Sequence, residues 1–235
     1  MAIYLHEIIA IDKGGKEGYL EALRTGFVPH LEASRGMRLV WAGSTVGSTA
    51  HWPETMALWE LRDFAHYAEV CDRMYTEHGA DARLRELWQA ALPLRLRSRS
   101  QTLVPARYSP SLDELGARGV GGTAFAFSTY DVAPGRMPEL LAALERRARF
   151  DGECGRALVG AYEVAFTPTR ALAIWAHADF PALCAYEERL RDDARLAEWS
   201  RVAADVLDGF REEWAYAVPW CPLWPKQVEA DERVW

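Results

Sequence analysis

The first apolar stretch of the chain, YLHEIIAI, contains two adjacent polar side chains, His6 and Glu7. Burial disfavours the charged form of a carboxyl group, so its pKa rises toward the range that suits a general acid or base. An imidazole changes charge near neutral pH and can do the same chemistry. We therefore predict Glu7 as the first candidate for proton transfer, with His6 behind it. The alternative is a core glutamate that is satisfied by a Tyr, Arg or Trp side chain.

Two further histidines are candidates for acid–base chemistry. His78 lies in MYTEHGADARL, a break between two helical patterns at the mouth of the predicted cavity, and would pair with Glu7. The alternative for His78 is an exposed loop histidine. His177 lies in RALAIWAH, two residues after Trp175 and therefore on the same face of a strand, where the alternative is a core histidine. The other three histidines are predicted to be structural or exposed: His30, His51 and His66.

Ten tryptophans are an unusual number for a chain of 235 residues. An indole ring is large and has one N–H donor, which suits the wall of a pocket as well as a packed interface. We predict a pocket for a small hydrophobic or aromatic molecule. Its predicted walls are Tyr4, Trp41, Trp59, Phe127 and Trp175.

Other chemistries lack their motifs in this sequence. It contains no P-loop, no H-E-x-x-H, no G-x-S-x-G, and no G-x-G-x-x-G that opens a helix after a strand. The four cysteines are widely spaced without a C-x-x-C, so we predict buried, reduced thiols and no zinc site. A net charge of −7 disfavours a nucleic-acid partner. The basic runs RLRSRS (95–100) and ERRAR (145–149) are predicted to be solvated faces.

The beginning of the chain, MAIYLHEIIAIDKGG, lacks the basic region and cleavage site of a secretory signal peptide. No apolar run approaches the ~20 residues that cross a bilayer. We therefore expect a cytoplasmic protein without a membrane partner, and homo-oligomers are possible.

The elements that would position these side chains occur twice along the chain. MALWELRDF (56–64) matches LAIWAHADF (172–180), and YLHEIIAIDKGGKEGYLEAL (4–23) matches FAFSTYDVAPGRMPELLAAL (125–144). DARLRELW also matches DARLAEW, in the same order along the chain. The predicted divisions are a first domain over 1–110, a linker over 111–122, a second domain over 123–225 and a C-terminal tail over 226–235.

Each copy has the pattern β-α-β-β-α-β, which is that of a ferredoxin-like domain. An apolar strand ends at DKGG or APGR, one amphipathic helix follows, and Asp63 or Asp179 is placed to cap a later helix. Helices cover one face of such a sheet, so its other face must be buried. We predict an α+β protein in which two tandem domains pack sheet to sheet as a pseudo-dimeric α/β barrel.

IYLHEIIAIDKGG, MALWELRDFAHYAEVCDRM and LVPARYSPSL resemble the NIPSNAP branch of the dimeric α/β-barrel superfamily. The match is fuller in the first copy than in the second, which has Ala176 in place of the Glu of the Leu-Trp-Glu strand. The superfamily includes cofactor-free monooxygenases, polyketide cyclases, isomerases and tandem haem enzymes. The resemblance to the cyclases implies a working histidine near His78. Haem is not predicted, because tandem haem enzymes place the axial histidine on a helix of the second copy, where this sequence has only His177 on a strand.

The function predicted from the sequence is that of an enzyme without metal or nucleotide that acts on a hydrophobic or aromatic metabolite. Cyclisation, isomerisation, dehydration and cofactor-independent oxygenation all need one or two acid–base groups in an apolar pocket. The alternative, from a different class, is a non-catalytic protein of the same fold that binds a small molecule or serves as a scaffold.

Overall fold

The computed structural model describes residues 1–12, 14–76 and 81–225, except for the side chains of residues 192, 194–198 and 200. The chain divides into unit 1, which comprises Met1–Leu103 and Trp220–Pro222, and unit 2, which comprises Val104–Pro219 and Leu223–Trp235. Both units combine helices with antiparallel strands, so the α+β class is confirmed. His78 and the tail predicted over 226–235 lie outside the described residues.

Unit 1 contains four strands and four helices. Their bounds are β1 (Ile3–Ile11), α1 (Lys16–Ala22), α2 (Val28–Arg35), β2 (Arg38–Thr45), β3 (Glu54–Leu61), α3 (Phe64–Tyr75), α4 (Ala82–Ala91) and β4 (Arg95–Pro105). The strands pair in the order β4-β1-β3-β2, and every pair is antiparallel. Glu7 of β1 lies between Ser100 of β4 and Ala57 of β3.

Unit 2 repeats this order after a short helix. Its elements are α5 (Leu112–Ala117), β5 (Ala124–Val132), α6 (Met137–Glu153), β6 (Arg156–Val164), β7 (Arg170–His177), α7 (Phe180–Asp192), α8 (Ala194–Val206) and β8 (Leu207–Ala217). The strands pair antiparallel in the order β8-β5-β7-β6. Ser128 of β5 lies between Glu212 of β8 and Ala173 of β7. Ser111 and Glu114 form a capping box at the start of α5, inside the predicted linker.

The local signals of the sequence have the expected structural effects. Asp63 accepts a hydrogen bond from the His66 backbone N–H at 2.8 Å, and Asp179 accepts one from Ala182 at 2.8 Å, so both act as helix N-caps. Gly14 and Gly135 have φ values of 79° and 82°, a region that glycine enters without a steric penalty. These turns direct the chain from β1 into α1 and from β5 into α6.

The single helix predicted after β1 is interrupted in the structure. Helix α1 ends at Ala22, a π-helical turn spans Leu23–Phe27, and α2 follows. Pro29 has no N–H for the carbonyl four residues earlier, which weakens a regular α-helix there. Gly26 packs so closely that a Cβ on it would lie 2.4 Å from the Leu87 side chain, so this turn presses against α4.

Two predictions about surface residues were wrong in part. Arg147 of the run 145–149 is half-buried, and its guanidinium pairs with the buried Asp151 at 3.1 Å. In the run 95–100, Arg95 is half-buried while its neighbours are exposed.

All four cysteines are free, as predicted, but only Cys221 is buried.

No helix within the described part of the chain is long and apolar enough to cross a membrane.

Candidate functional site

Unit 1 contains a cavity of about 180 Å³ between its sheet and the helices α3 and α4. Leu5, Glu7 and Ile9 reach it from β1 because alternate residues of a strand share a face. Its apolar wall is completed by Leu61, Val70, Met74 and Trp88. Its polar lining comes from Tyr67, Cys71, Arg95, Ser98, Arg99 and Ser100, of which the last three are exposed and mark the side open to solvent.

Glu7 is the carboxylate of this cavity. Its Oε2 accepts a hydrogen bond of 2.8 Å from the Trp59 Nε1–H, and the side chain is half-buried because it faces the cavity. Burial raises the pKa of the carboxyl group, against the opposing effects of the Trp59 hydrogen bond and the Arg95 charge. The hydrogen bond from Trp59 holds Oε2 of Glu7 in place. The other oxygen, Oε1, is left to interact with a molecule in the cavity.

Arg95 supplies a positive charge on the same cavity. Its guanidinium lies 4.0 Å from the centre of the Trp88 ring, a cation–π contact that holds it beside the apolar wall. Tyr19 lies close enough to be affected by both charges: burial first, and then Glu7, raise the pKa of its hydroxyl, while Arg95 lowers it. A carboxyl group of raised pKa and a cation therefore share one small cavity.

Tyr67 and Cys71 contribute a second polar edge from α3. A hydrogen bond with Thr102 lowers the pKa of Tyr67, but burial and a hydrogen bond with Cys71 outweigh it and raise that pKa. Sequence reasoning missed Arg95, Tyr67 and Cys71 as site residues. The four-residue spacing of Tyr67, Cys71 and Tyr75, which places all three on one face of α3, was the available signal.

The other predicted site residues of unit 1 lie elsewhere. His6 is on the opposite face of β1 from Glu7, 2 % exposed, with its Nδ1 3.2 Å from the Gln101 amide nitrogen. Burial, with a smaller effect from Arg99, lowers the pKa of His6 to about 3, so this ring is neutral. Tyr4, also on that face, donates to Glu60 at 2.8 Å. Trp41 is fully buried in β2 outside the cavity lining.

The structure assigns His66 a structural position. Its Nδ1 accepts the Arg62 backbone N–H at 3.1 Å, and its Nε2 lies 2.6 Å from the Arg35 carbonyl. His30 lies 2.9 Å from the carboxylate of Asp81, the residue that caps α4.

Phe127, Trp175 and His177 belong to unit 2 and are all buried. Phe127 lies on the face of β5 opposite Ser128, whereas Trp175 and His177 lie together beside the buried Arg156 guanidinium. The His177 ring is 5.5 Å from that of Tyr186, and burial, followed by the Arg156 charge, lowers the pKa of His177 to about 4. The structure therefore brings Glu7 and Trp59 together in one unit, and Trp175 and His177 in the other.

The described residues include no group of three or more His, Cys, Asp or Glu side chains that could hold a metal ion.

Comparison with known proteins gives a family match in the second half of the chain. Residues 125–222 match the NIPSNAP family model. This match lies in the second copy, whereas the sequence motifs predict the fuller resemblance in the first. No curated protein sequence matches this one.

Two solved structures are similar over most of the chain. One, described as an anthrone oxidase-like protein, has a TM-score of 0.63 and 15 % identity, and the alignment covers 92 % of this chain and 91 % of that one. The other, a candidate monooxygenase from Lactobacillus acidophilus, has a TM-score of 0.62 and 10 % identity, with 92 % and 93 % covered. At these identities the likeness is one of fold. Residues 125–222 are therefore similar to the NIPSNAP family, and the fold is similar to that of these two solved structures.

Proposed function

We propose that this protein is an enzyme that binds a small hydrophobic or aromatic molecule in the unit 1 cavity and removes a proton from it with Glu7. The observation that carries the proposal is the position of the Glu7 carboxylate, whose pKa is raised by burial and which lies on a cavity lined by both apolar or aromatic side chains and polar ones. Such a carboxylate is a stronger base than one in water, and it needs no cofactor to act.

Trp59 and Arg95 each have a part in this step. Trp59 holds Oε2 of Glu7 and leaves Oε1 to take a weakly acidic C–H or O–H proton of the substrate. The anion that forms is an enolate or phenolate, and the Arg95 guanidinium on the same cavity stabilises its negative charge. The neutralised Glu7 can then return the proton to another atom of the substrate.

The size of the cavity limits the substrate class. An apolar cavity of about 150 Å³ accommodates benzene, whereas drug-sized ligands occupy roughly 300–1,000 Å³. A cavity of about 180 Å³ therefore suits one aromatic ring with a small substituent. A larger polycyclic molecule would need to extend past Ser98 and Arg99 into solvent.

Proton removal is the step that isomerisation, cyclisation, dehydration and cofactor-free oxygenation have in common. The likeness to an anthrone oxidase-like protein and a candidate monooxygenase supports oxygenation among these. In that reaction the carbanion reacts with molecular oxygen as co-substrate, the activated CH₂ becomes C=O, and one water molecule leaves. Both atoms of O₂ and both hydrogens of the CH₂ group are then accounted for.

The proton-transfer step can be tested without knowing the natural substrate. 2-Indanone is a small C–H acid, and its exchange of hydrogen for deuterium in D₂O is followed by proton NMR. We expect the protein to accelerate this exchange, and Glu7→Gln to lower the acceleration by about 10²–10⁴. Gln keeps an acceptor for the Trp59 N–H. Glu163→Gln, on an exposed position of β6, is the matched control and is expected to leave the rate unchanged.

Undiminished exchange in Glu7→Gln would contradict the role of Glu7. If 2-indanone and other small aromatic ketones raise the melting temperature but undergo no exchange, the protein is a binding protein without this chemistry.

A further inference from the structure

Several residues around the unit 1 cavity have counterparts in unit 2 that can be identified from strand register. Leu39 pairs with Trp59 and Leu158 pairs with Trp175, so the two tryptophans are equivalent. Leu61, which lines the unit 1 cavity, then corresponds to His177. Counted from the capping residues Asp63 and Asp179, the cavity residues Val70 and Cys71 correspond to Tyr186 and Glu187.

The two units differ in where they carry their carboxylate. In unit 1, Glu7 on the first strand lies opposite Ser100 on the last strand. In unit 2, Ser128 on the first strand lies opposite Glu212 on the last. The serine and the glutamate have exchanged strands, so the tryptophan of unit 2 has lost the carboxylate that its counterpart bonds.

This exchange leaves buried N–H donors in unit 2 without acceptors among the described residues. Trp59 donates to Glu7, whereas Nε1 of Trp175 has no described partner although the residue is fully buried. Nε and Nη1 of Arg156 likewise have none, and Arg156 is 1 % exposed. Nδ1 of His177, directly across from Arg156 in the β6–β7 register, is a further unpartnered atom. Unpaired buried donors are costly, so such a group calls for an acceptor.

The geometry around Arg156 holds its guanidinium in one position. It lies 4.6 Å from the centre of the Trp175 ring and 4.7 Å from that of Tyr186. Its Nη2 donates to Glu212 at 2.6 Å, and Ser128 also donates to that carboxylate at 2.6 Å. Two aromatic rings and the Glu212 carboxylate therefore hold the Arg156 guanidinium in place. Its Nε and Nη1 remain without a partner among the described residues.

Each arginine of this cluster pairs with one carboxylate, Arg147 with Asp151 at 3.1 Å and Arg156 with Glu212 at 2.6 Å. Arg147 and Arg156 are both cationic. Burial raises the pKa of Glu212, but the Arg156 charge and the hydrogen bonds from Ser128 and Arg156 outweigh it, so the pKa is lowered and Glu212 is ionised. Burial raises the pKa of Asp151, which moves this carboxyl group toward its neutral form despite the nearby arginines. Burial, followed by the Glu212 charge, also raises the pKa of Glu187.

We infer that unit 2 contains a buried binding site for a small carboxylate anion, held by Arg156, Trp175 and His177. Unit 1 shows the chemistry of the occupant, because there the acceptor for the equivalent indole N–H is the carboxylate of Glu7. A ligand carboxylate supplies in unit 2 the group that Ser128 does not. Glu187 and Glu212, both half-buried, mark the side on which this site comes closest to solvent.

Acetate is the probe for this site, and the indole N–H resonance of Trp175 is the readout. This resonance is assigned in ¹H–¹⁵N NMR spectra from its loss in Trp175→Phe. We expect millimolar acetate to shift it in a saturable manner, and chloride at the same ionic strength not to do so. Arg156→Met/Glu212→Ser introduces the residues that unit 1 has at these positions, Met37 and Ser100, and we expect it to weaken acetate binding about tenfold or more.

Two further variants separate this site from that of unit 1 and from general effects on folding. Ser128→Glu supplies an internal carboxylate next to Trp175, so it should abolish the acetate shift while the protein remains folded. Glu7→Gln should leave acetate binding unchanged, which makes failure here distinguishable from failure of the proposed enzyme chemistry. A shift that chloride reproduces, or one that persists in Arg156→Met/Glu212→Ser, would overturn the inference.

Discussion

The buried ion pair of Arg156 and Glu212 gives the sharpest prediction about stability. Arg156 is 1 % exposed, its side chain is 2.6 Å from Glu212, and two aromatic rings enclose it. Arg156→Met leaves a carboxylate desolvated and without its cation, and Glu212→Ser leaves the cation without its carboxylate. Removing one partner of a buried pair costs about 3–5 kcal/mol. We therefore expect each single variant to lose that much free energy of unfolding.

The double variant should cost much less than the sum of the two single variants. Replacing both partners removes the uncompensated charge, so we expect Arg156→Met/Glu212→Ser to retain at least about 2 kcal/mol more stability than additivity gives. Urea denaturation at neutral pH measures this, with an unchanged dependence on urea concentration as the check on a common unfolded state. For a chain of this length each kcal/mol corresponds to about 2–4 °C in melting temperature.

Additive effects, within about 0.5 kcal/mol, would refute this reasoning, because independent losses mean that the two charges do not stabilise one another. The pH dependence is a second check. The pKa of Glu212 is lowered by folding, so the stability it contributes is present at neutral pH and is lost as the pH falls through its folded pKa. That loss should disappear in Glu212→Ser.

Three other substitutions have definite expected outcomes. Folding raises the pKa of Glu7, so its stabilising contribution is complete below the ordinary pKa of a glutamate and is lost as the pH rises through the folded pKa. The stability of Glu7→Gln relative to the natural protein should therefore increase from acidic to neutral pH in urea titrations, and a constant difference contradicts the raised pKa. The contribution of His177 to stability has the opposite pH dependence. Its pKa is lowered from 6.5 to about 4, so the free energy of unfolding falls as the pH drops through this interval, by on the order of 3 kcal/mol. His177→Leu, which introduces the residue of Leu61, should flatten that part of the profile, and an unchanged profile contradicts the assignment. Asp179→Ala should cost about 1 kcal/mol in urea unfolding through loss of the α7 cap, whereas Asp179→Asn retains a cap and should cost less; equal costs would show that capping is not the cause.

Much of the fold could be predicted because its signals are local. The capping aspartates, the glycine turns and the alternation along β1 each depend on a few consecutive residues. The position of Glu7 followed from that alternation, because Glu7 shares a face of β1 with Leu5 and Ile9, and that face lines the cavity. The break in the first helix was not foreseen, although Pro29 made a regular helix there unfavourable.

The cation of each site could not be predicted, because it depends on pairing between distant strands. Arg95 stands in a run that resembles a solvated face, and only the stacking on Trp88 brings it to the cavity. The Arg156–Glu212 pair joins residues on β6 and β8, whose relation in space depends on the register of two intervening strands. The repeats also differ in loop length, so aligning them as sequences does not place Glu212 opposite Ser128.

The two units share one order of strands, yet the sites proposed for them differ in character. A carboxylate on the first strand, bonded to an indole and facing a cavity, has a raised pKa and in the proposed reaction exchanges a proton with a bound molecule. A carboxylate on the last strand, paired with a buried arginine, loses that affinity and instead fixes the arginine in place. The position of the glutamate, on the first or the last strand, therefore decides whether its carboxylate is a candidate base or the partner of a buried arginine. The equivalent residues Trp59 and Trp175 provide an indole N–H donor in both units. Ser128→Glu with Glu212→Ser reverses the exchange, and the raised pKa of the carboxyl group should move with it to the first strand of unit 2.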